Sequence, residues 1–194
     1  MLGDPACAGG TYVLRIRLAR GARLAFGRFA AGRRLSLPAG DYAYVGSAMA
    51  PRGSASPACR LLRHATRSGS RPPQALRLEL ARRLAEAGLL PAGSGAAARR
   101  APSPKRLRWH VDYLLDLRAA SLRGVIVLRA DVRLEGRLAA WLAAQPEVRP
   151  VAPGLGAGDD PGQTHLLAAP ADDAWWDVLA TRWAPGYLGE RPAG

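Results

Sequence analysis

The chain has few of the residues that build disulfide frameworks and secretory leaders. Cys7 and Cys59 are the only cysteines among 194 residues, and two thiols so far apart form neither a disulfide framework nor a metal knuckle. No basic residue precedes Arg15, and no apolar run has the length of a signal-peptide core or a membrane span. We therefore expect a soluble cytoplasmic protein without a membrane partner.

Lysine is almost absent as well. Lys105 is the only lysine among 28 basic residues, and arginine supplies the others. The formal net charge is +13 and the sequence pI is about 11.3. Such an excess favours an anionic partner such as nucleic acid, because it steers association electrostatically. Abundant Arg, Ala, Gly and Pro also fit a GC-rich coding sequence, so composition alone leaves both explanations open.

The order of apolar patterns predicts an α+β fold. Alternation predicts a half-buried strand over 11–19, and Ser56-Pro57 predicts the start of a helix that runs to about residue 68. The remaining patterns predict strands near 24–26, 35–37, 42–45, 124–129 and 166–167, and helices over 74–87, 134–142 and 172–183. Early antiparallel strands with interspersed helices indicate a small, mainly antiparallel sheet flanked by helices.

Composition predicts one domain over 10–183, preceded by a disordered lead at 1–9 and followed by a flexible tail at 184–194. Ser, Gly, Pro, Ala and Arg dominate an insertion at about 69–104, and its last part has almost nothing that could pack. This insertion either extends a DNA-binding face or is a solvated decoration. We favour the decoration.

One strand–turn–helix unit carries groups that phosphodiester chemistry needs. Tyr44 ends an aromatic strand and is followed by Gly46, while Arg60 and His64 lie four residues apart on the next helix and share a face. Tyr12, at the start of the first strand, offers a second phenol to the same cleft. Taken singly, each tyrosine is more simply a core aromatic.

The pattern Gly-x-Tyr, then Tyr-x-Gly, followed by Arg60 and His64, resembles the GIY-YIG nuclease superfamily. Within it, the chain is similar to the Uri-type branch, which is largely uncharacterised and regarded as endonuclease-like. The matching segments are, in order, 10–14, 42–48, Arg63-His64, 109–115, Asp159 and His165-Leu166. The resemblance implies a GIY-YIG-like core with an inserted helical segment.

The resemblance also implies a metal-dependent endonuclease or nickase that hydrolyses phosphodiester bonds in DNA, in repair or processing. Glu135 matches the glutamate that holds one divalent ion, Mg²⁺ or Mn²⁺. Arg60 would clamp the scissile phosphate. Tyr12 or Tyr44 would place the attacking water, and His64 would relay its proton or orient Tyr44.

Four further residues are predicted to contact nucleic acid: Gly46, Ser47, Arg63 and His110. Gly46 would let the backbone approach a phosphate closely, and Arg63 would contact the backbone or be solvated. His110 and Asp112 could act as ligands on a strand, but on a helix they would diverge, which favours capping or packing. The expected partner is DNA, branched or damaged forms included.

Two departures from the family pattern leave the activity open. Members typically carry a Ser-Asp-Cys-x-Cys run before a terminal Ser-His-Leu, whereas residues 158–162 contain no cysteine, and the segment 65–108 is unusually long. The alternatives are a non-catalytic nucleic-acid-binding module on the same fold and a nuclease acting on RNA. The complete set of catalytic and metal-binding candidates favours the enzyme, because a binder has no need to keep it.

Overall fold

The computed structural model describes residues 1–90, 105–157, 162–183 and Gly186. The strands in these residues are β1 (Leu2–Gly3), β2 (Gly10–Leu18), β3 (Ala22–Ala25), β4 (Arg34–Leu37), β5 (Gly40–Ala48), β6 (Ala120–Arg129), β7 (Arg149–Pro150) and β8 (Leu166–Ala169). One sheet has the order β1-β6-β2-β5-β8-β7, while β3 and β4 form a separate antiparallel ribbon. In the large sheet, β1 pairs with β6 in parallel and the other described pairs are antiparallel.

The described α-helices are α1 (Pro57–His64), α2 (Arg77–Glu86), α3 (His110–Leu115), α4 (Glu135–Ala143) and α5 (Asp173–Val178). The helix predicted over 172–183 changes to a π turn after Val178. The predicted α+β architecture, a mainly antiparallel sheet flanked by helices, is confirmed. Across the described ranges, we find no helix with the length and apolar character needed to span a bilayer.

The central strand β2 is covered on both faces. Leu14 and Ile16 belong to the apolar cluster under α1, α2 and α3, while Val13 belongs to the cluster under α4 and α5. The prediction of a half-buried strand is therefore wrong for this part of β2. The prediction took Arg15 as part of a solvent-exposed polar face. In the structure its guanidinium is only partly exposed and pairs with the buried Asp41 at 2.8 Å.

Residues 1–9, predicted as a disordered lead, are folded onto the sheet. Leu2 pairs with Leu128 of β6, and the buried Arg129 donates from Nε to the carbonyl of Cys7 at 2.7 Å. The prediction failed because it rested on the small number of apolar residues in the lead. That number does not reveal a hydrogen bond from a buried arginine that is distant in the sequence. The lead satisfies polar groups that would otherwise be buried without partners.

Helix α2, in the predicted insertion, packs its apolar stripe onto the core and neutralises its own charges. Leu80 and Leu84 are buried. On the exposed side, Arg82 and Arg83 pair with Glu79 at 2.6 and 2.9 Å. Because these arginines are already paired with a glutamate, they attract a phosphate backbone only weakly. This favours a solvated decoration over a DNA-binding face.

Three predictions fall outside the described residues. They are the segment 91–104 of the insertion, the tail 184–194 except Gly186, and Asp159 with its neighbours at 158–161.

Gly46 is required by packing inside the sheet. It pairs with Tyr12 across β2 and β5, and a Cβ at this position would lie 2.6 Å from Cζ and Oη of the Tyr12 ring. The phenol therefore occupies the space that a side chain at Gly46 would need. Packing is thus a further reason for the glycine, and the predicted close approach of the backbone to a phosphate stays a prediction.

We expect Gly46→Ala to lower the free energy of unfolding by about 1–3 kcal/mol, the usual cost of overpacking a buried site. Urea unfolding measures it. Gly124→Ala is the matched control, because a Cβ there meets only the Arg15 Cβ at 3.8 Å, an ordinary contact. Equal stability of the two variants would contradict the packing role of Gly46.

Candidate active site

A cavity of about 410 Å³ opens at the end of the sheet where β2 begins and β5 ends. Its lining consists of Tyr12, Tyr44, Gly46, Ser47, Arg60, Arg108, Trp109, His110, Arg133, Glu135 and Gly156. All the predicted site residues are in this lining except His64 and Arg63. Residues from β2, β5, α1 and α4 thus meet at one concave surface, although they are far apart in sequence.

His64 lies directly behind the cavity wall. Its Nε2 is 3.0 Å from the Tyr12 hydroxyl, and its Nδ1 is 3.2 Å from Oδ1 of Asp112. All three side chains are almost completely buried. The predicted alternative, in which His64 orients Tyr44 by a hydrogen bond, is replaced by a bond to Tyr12, while Tyr44 makes an edge contact with the imidazole at 6.1 Å between ring centroids.

The Asp112 carboxylate is saturated with donors. Oδ1 also lies 3.2 Å from the Lys105 ammonium, and Oδ2 accepts from Arg63 at 3.2 Å and from the backbone N–H groups of Arg108 and Trp109 at 3.0 and 3.2 Å. Burial works to raise the pKa of Asp112, but His64, Lys105 and the backbone donors outweigh it and hold the pKa below its ordinary value. Asp112 is therefore ionised at neutral pH.

This charge state decides the tautomer of His64. Burial lowers the pKa of His64, Asp112 opposes the shift, and the positive charges of Lys105 and Arg60 lower the pKa further. The imidazole is therefore neutral at pH 7. Because Asp112 can only accept, Nδ1 carries the proton and Nε2 accepts from the Tyr12 hydroxyl. Burial, reinforced by Tyr44, raises the pKa of Tyr12 well above its ordinary value, so the resting phenol keeps its proton.

Glu135 begins α4 at the opposite wall. The N–H of Leu134 donates to the buried hydroxyl of Thr11 at 3.0 Å, which fixes the start of the helix on β2. The carboxylate accepts a hydrogen bond from Ser47 Oγ, and its Oε1 is 3.1 Å from Nδ1 of His165. Burial works to raise the pKa of Glu135, but His165 and Ser47 outweigh it and the pKa lies below its ordinary value.

Arg60 presents a guanidinium without a counter-ion. It stacks on Trp109 with 4.9 Å from Cζ to the ring centroid and donates to the carbonyl of Ser47. In the part of the chain that the structure describes, no carboxylate pairs with Arg60, and its Nε is buried without a hydrogen-bond partner. Arg108 stacks on the same ring at 5.3 Å. The indole thus holds two cavity-lining cations in place.

His110 contributes a fixed donor to the lining. Its Nδ1 accepts from the N–H of Gly156 at 3.0 Å, and burial lowers its pKa, so the neutral ring carries its proton on Nε2. Its predicted contact with nucleic acid stays a prediction. Asp112, for which capping or packing was favoured, does cap α3 and in addition forms the buried partner of His64.

Two predicted nucleic-acid contacts are otherwise engaged. Ser47 is buried, and its hydroxyl and carbonyl join Glu135 to Arg60. Arg63 donates to Asp112 and to the carbonyl of Arg106. Both residues thus position other groups, and Ser47 also lines the cavity, so their predicted contacts with nucleic acid stay predictions.

No role in the site was predicted for Lys105, Thr11, Trp109 or His165. In the sequence, only Lys105 stood out among these residues, because it is the single lysine among 28 basic residues. Its ammonium is buried and donates to the carbonyl of Thr66 at 2.7 Å. A compact ammonium suits a small buried site in which a planar guanidinium needs more room.

Among the described residues that line the cavity, Glu135 is the only one with a carboxylate. The described residues include no group of three or more His, Cys, Asp or Glu side chains that could hold a metal ion. An ionised carboxylate in a wide cavity nevertheless fits a hard cation such as Mg²⁺, which keeps several waters and binds through one or two carboxylates and substrate phosphates. The donor set suits Mg²⁺ or Mn²⁺ and lacks the ligands of a structural zinc site.

The family model described as a domain of unknown function, DUF123, matches residues 11–182. The chain belongs to the DUF123 family. The match covers the cavity lining and the Tyr12–His64–Asp112 chain, so the site lies entirely within the DUF123 region. No curated protein and no solved structure matches the chain.

The neutral, buried His64 makes stability depend on pH. Its pKa is lower in the folded state than the value of about 6.5 in the unfolded chain, so the unfolded state binds its proton first as the pH falls. We expect the free energy of unfolding, measured in urea, to fall as the pH drops below about 6.5, with a limiting slope of about 1.4 kcal/mol per pH unit for one histidine.

His64→Gln should flatten this slope without abolishing it, because the lowered pKa of His110 acts in the same direction. Asp112 and Glu135 do not affect the slope between about pH 6.5 and pH 5. Their pKa values are lowered in the folded state, so the stability that they contribute is lost only as the pH falls below the unfolded carboxyl pKa of about 4. An unchanged slope in His64→Gln would show that His64 is not held neutral.

Proposed function

We propose that this protein is a divalent-metal-dependent endonuclease or nickase that hydrolyses phosphodiester bonds in DNA, with a role in repair or processing. The observation that carries the proposal is the convergence of two phenols, an arginine without a counter-ion and one ionised glutamate on a single cavity. The resemblance to the GIY-YIG superfamily and its Uri-type branch supports the same function. It predicts these residue types, which lie in distant parts of the sequence.

The charge of the cavity suits a phosphodiester. Among the described lining residues, Arg60, Arg108 and Arg133 accompany one carboxylate, Glu135, so positive groups outnumber negative ones there. Arg60 binds the scissile phosphate and stabilises the charge that develops on it in the transition state. The stacking of Arg60 on Trp109 and its bond to the Ser47 carbonyl fix the guanidinium in advance, which removes part of the entropy cost of orienting it.

The buried chain gives the proton of the attacking water a path. Tyr12 accepts this proton on its hydroxyl oxygen and at the same time passes its own proton to Nε2 of His64. The imidazolium that results is stabilised by the Asp112 carboxylate. This coupled transfer avoids a free phenolate, which the raised pKa of Tyr12 makes unfavourable at neutral pH. Tyr44 shares the cavity wall and positions the water.

Glu135 is the residue that would hold the metal ion, with water and phosphate oxygens as further ligands. The bound ion supplies Lewis-acid polarisation of the phosphate and offsets its charge. Ser47 and His165 orient the carboxylate from the protein side. Ser47 also accepts a hydrogen bond from Arg60 on its carbonyl, so this one residue fixes the Arg60 guanidinium relative to the Glu135 carboxylate.

The purified protein should convert supercoiled plasmid DNA to open circles in Mg²⁺ or Mn²⁺. Arg60→Gln should lower the nicking rate by about 10²–10³, the usual cost of removing a donor to the developing charge, and Glu135→Gln should abolish nicking. Both variants should bind DNA nearly as well as the wild type in EDTA. Arg118→Gln and Glu147→Gln, at exposed positions, are the matched controls.

Two outcomes would contradict a DNA nuclease. If the wild type binds DNA but nicks no plasmid, branched, flapped or damaged substrate with either metal, the non-catalytic binding module is the correct function. If it cleaves RNA and leaves these DNA substrates intact, the RNA nuclease is correct.

Tyr12→Phe should lower the nicking rate by about 10²–10⁴, the range of general acid–base contributions, while DNA binding stays unchanged. Tyr42→Phe is the matched control on β5. It removes a hydroxyl that is bound to the carbonyl of Pro38 at 2.7 Å and is not part of the cavity lining. Equal nicking rates for these two variants would exclude Tyr12 from the proton path.

A further inference from the structure

The β3–β4 ribbon has two faces of opposite character. Leu24 and Leu35 form a cross-strand pair that packs against the core. On the other face, Arg23 lies opposite Ser36 and Arg34 lies opposite Ala25. Arg23 and Arg34 are exposed diagonal neighbours, about 7–8 Å apart by strand geometry.

The outer face of the ribbon is an uncompensated cationic surface. Five exposed arginines lie on it or beside it, namely Arg20, Arg23, Arg28, Arg33 and Arg34. Residues 5–40 contain no Asp or Glu, and none of these arginines forms an ion pair within the described part of the chain. Arginines placed this close repel one another unless an anion lies between them.

The tip of the ribbon reaches the cavity. Phe29 contacts the ring of His110 edge-on with 5.4 Å between centroids, and His110 lines the cavity. The same tip holds Ala30 and Ala31 with φ of 48° and 55°, a left-handed conformation that costs a non-glycine residue roughly 1–2 kcal/mol. Strain of this kind persists where the surrounding structure holds it in place, and it is common at binding sites.

We propose that the outer face of the β3–β4 ribbon binds the phosphate backbone of duplex DNA beside the cleaved bond and so guides the duplex into the cavity. This inference rests on the proposed function, since it adds a docking surface to the same site. The partner is identified by charge complementarity: a row of phosphates supplies regularly spaced anions along a surface that has guanidinium groups and no acid. Helix α2 shows the contrast, because its exposed arginines already have glutamate partners.

Binding of a fluorescein-labelled duplex, measured by anisotropy in EDTA, separates the ribbon from the rest of the protein. Arg23→Gln with Arg34→Gln should weaken binding roughly 30-fold at 0.15 M salt, which is the counterion-release contribution of two phosphate contacts. The slope of log K against log salt between about 50 and 200 mM should become shallower by about 1.8. Arg28→Gln with Arg33→Gln tests the tip in the same way.

The control is Arg82→Gln with Arg83→Gln on α2, which removes the same net charge from an ion-paired surface and should leave affinity and slope near the wild-type values. Far-ultraviolet circular dichroism and thermal unfolding check that each variant is folded. Ribbon variants that bind like the wild type, or a control that weakens binding equally, would overturn the ribbon proposal and leave the proposed function standing. Failure of the wild type to bind duplex DNA would overturn both.

Discussion

The buried carboxylate of Asp112 is the interaction on which the rest of the site depends. An ion removed from water costs several kcal/mol unless its lone pairs are satisfied, and Asp112 meets this condition with donors from α1 and from the segment 105–109 that leads into α3. The same contacts join these elements. Burial and the positive charges of Lys105 and Arg60 lower the pKa of His64 against the opposing effect of Asp112, so Asp112 orients the imidazole and leaves it neutral.

Strand pairing supplies the second constraint. The register of β2 and β5 puts Gly46 opposite Tyr12, and only a glycine leaves room for the phenol that reaches His64. One residue further, Ser47 holds Arg60 through its carbonyl and Glu135 through its hydroxyl. A shift in this register would therefore displace Tyr12 with its bond to His64, the Arg60 guanidinium and the Glu135 carboxylate together.

In this arginine-rich chain, the pairing of each arginine is more informative about function than the number of arginines. A GC-rich coding sequence would explain the choice of arginine over lysine, but it would not explain which arginines have partners. Arg82 and Arg83 of α2 are neutralised by glutamates, and Arg63 pairs with the buried Asp112. Arg60 and the exposed arginines of the β3–β4 ribbon have no carboxylate partner among the described residues. The single lysine, Lys105, also has a specific partner, because its buried ammonium pairs with Asp112.

The sequence by itself determined the local elements and the residue types of the site. Apolar alternation predicted the strands, the Ser56-Pro57 cap predicted the start of α1, and the four-residue spacing put Arg60 and His64 on one helix face. Only the tertiary structure decided the partners: Asp112 lies 48 residues from His64, Thr11 fixes the start of α4 and so aims Glu135 at the cavity, and the lead folds onto a buried arginine. Periodicity reports the environment of a residue along its own element, whereas buried charges find their partners through the packing of elements that are distant in sequence.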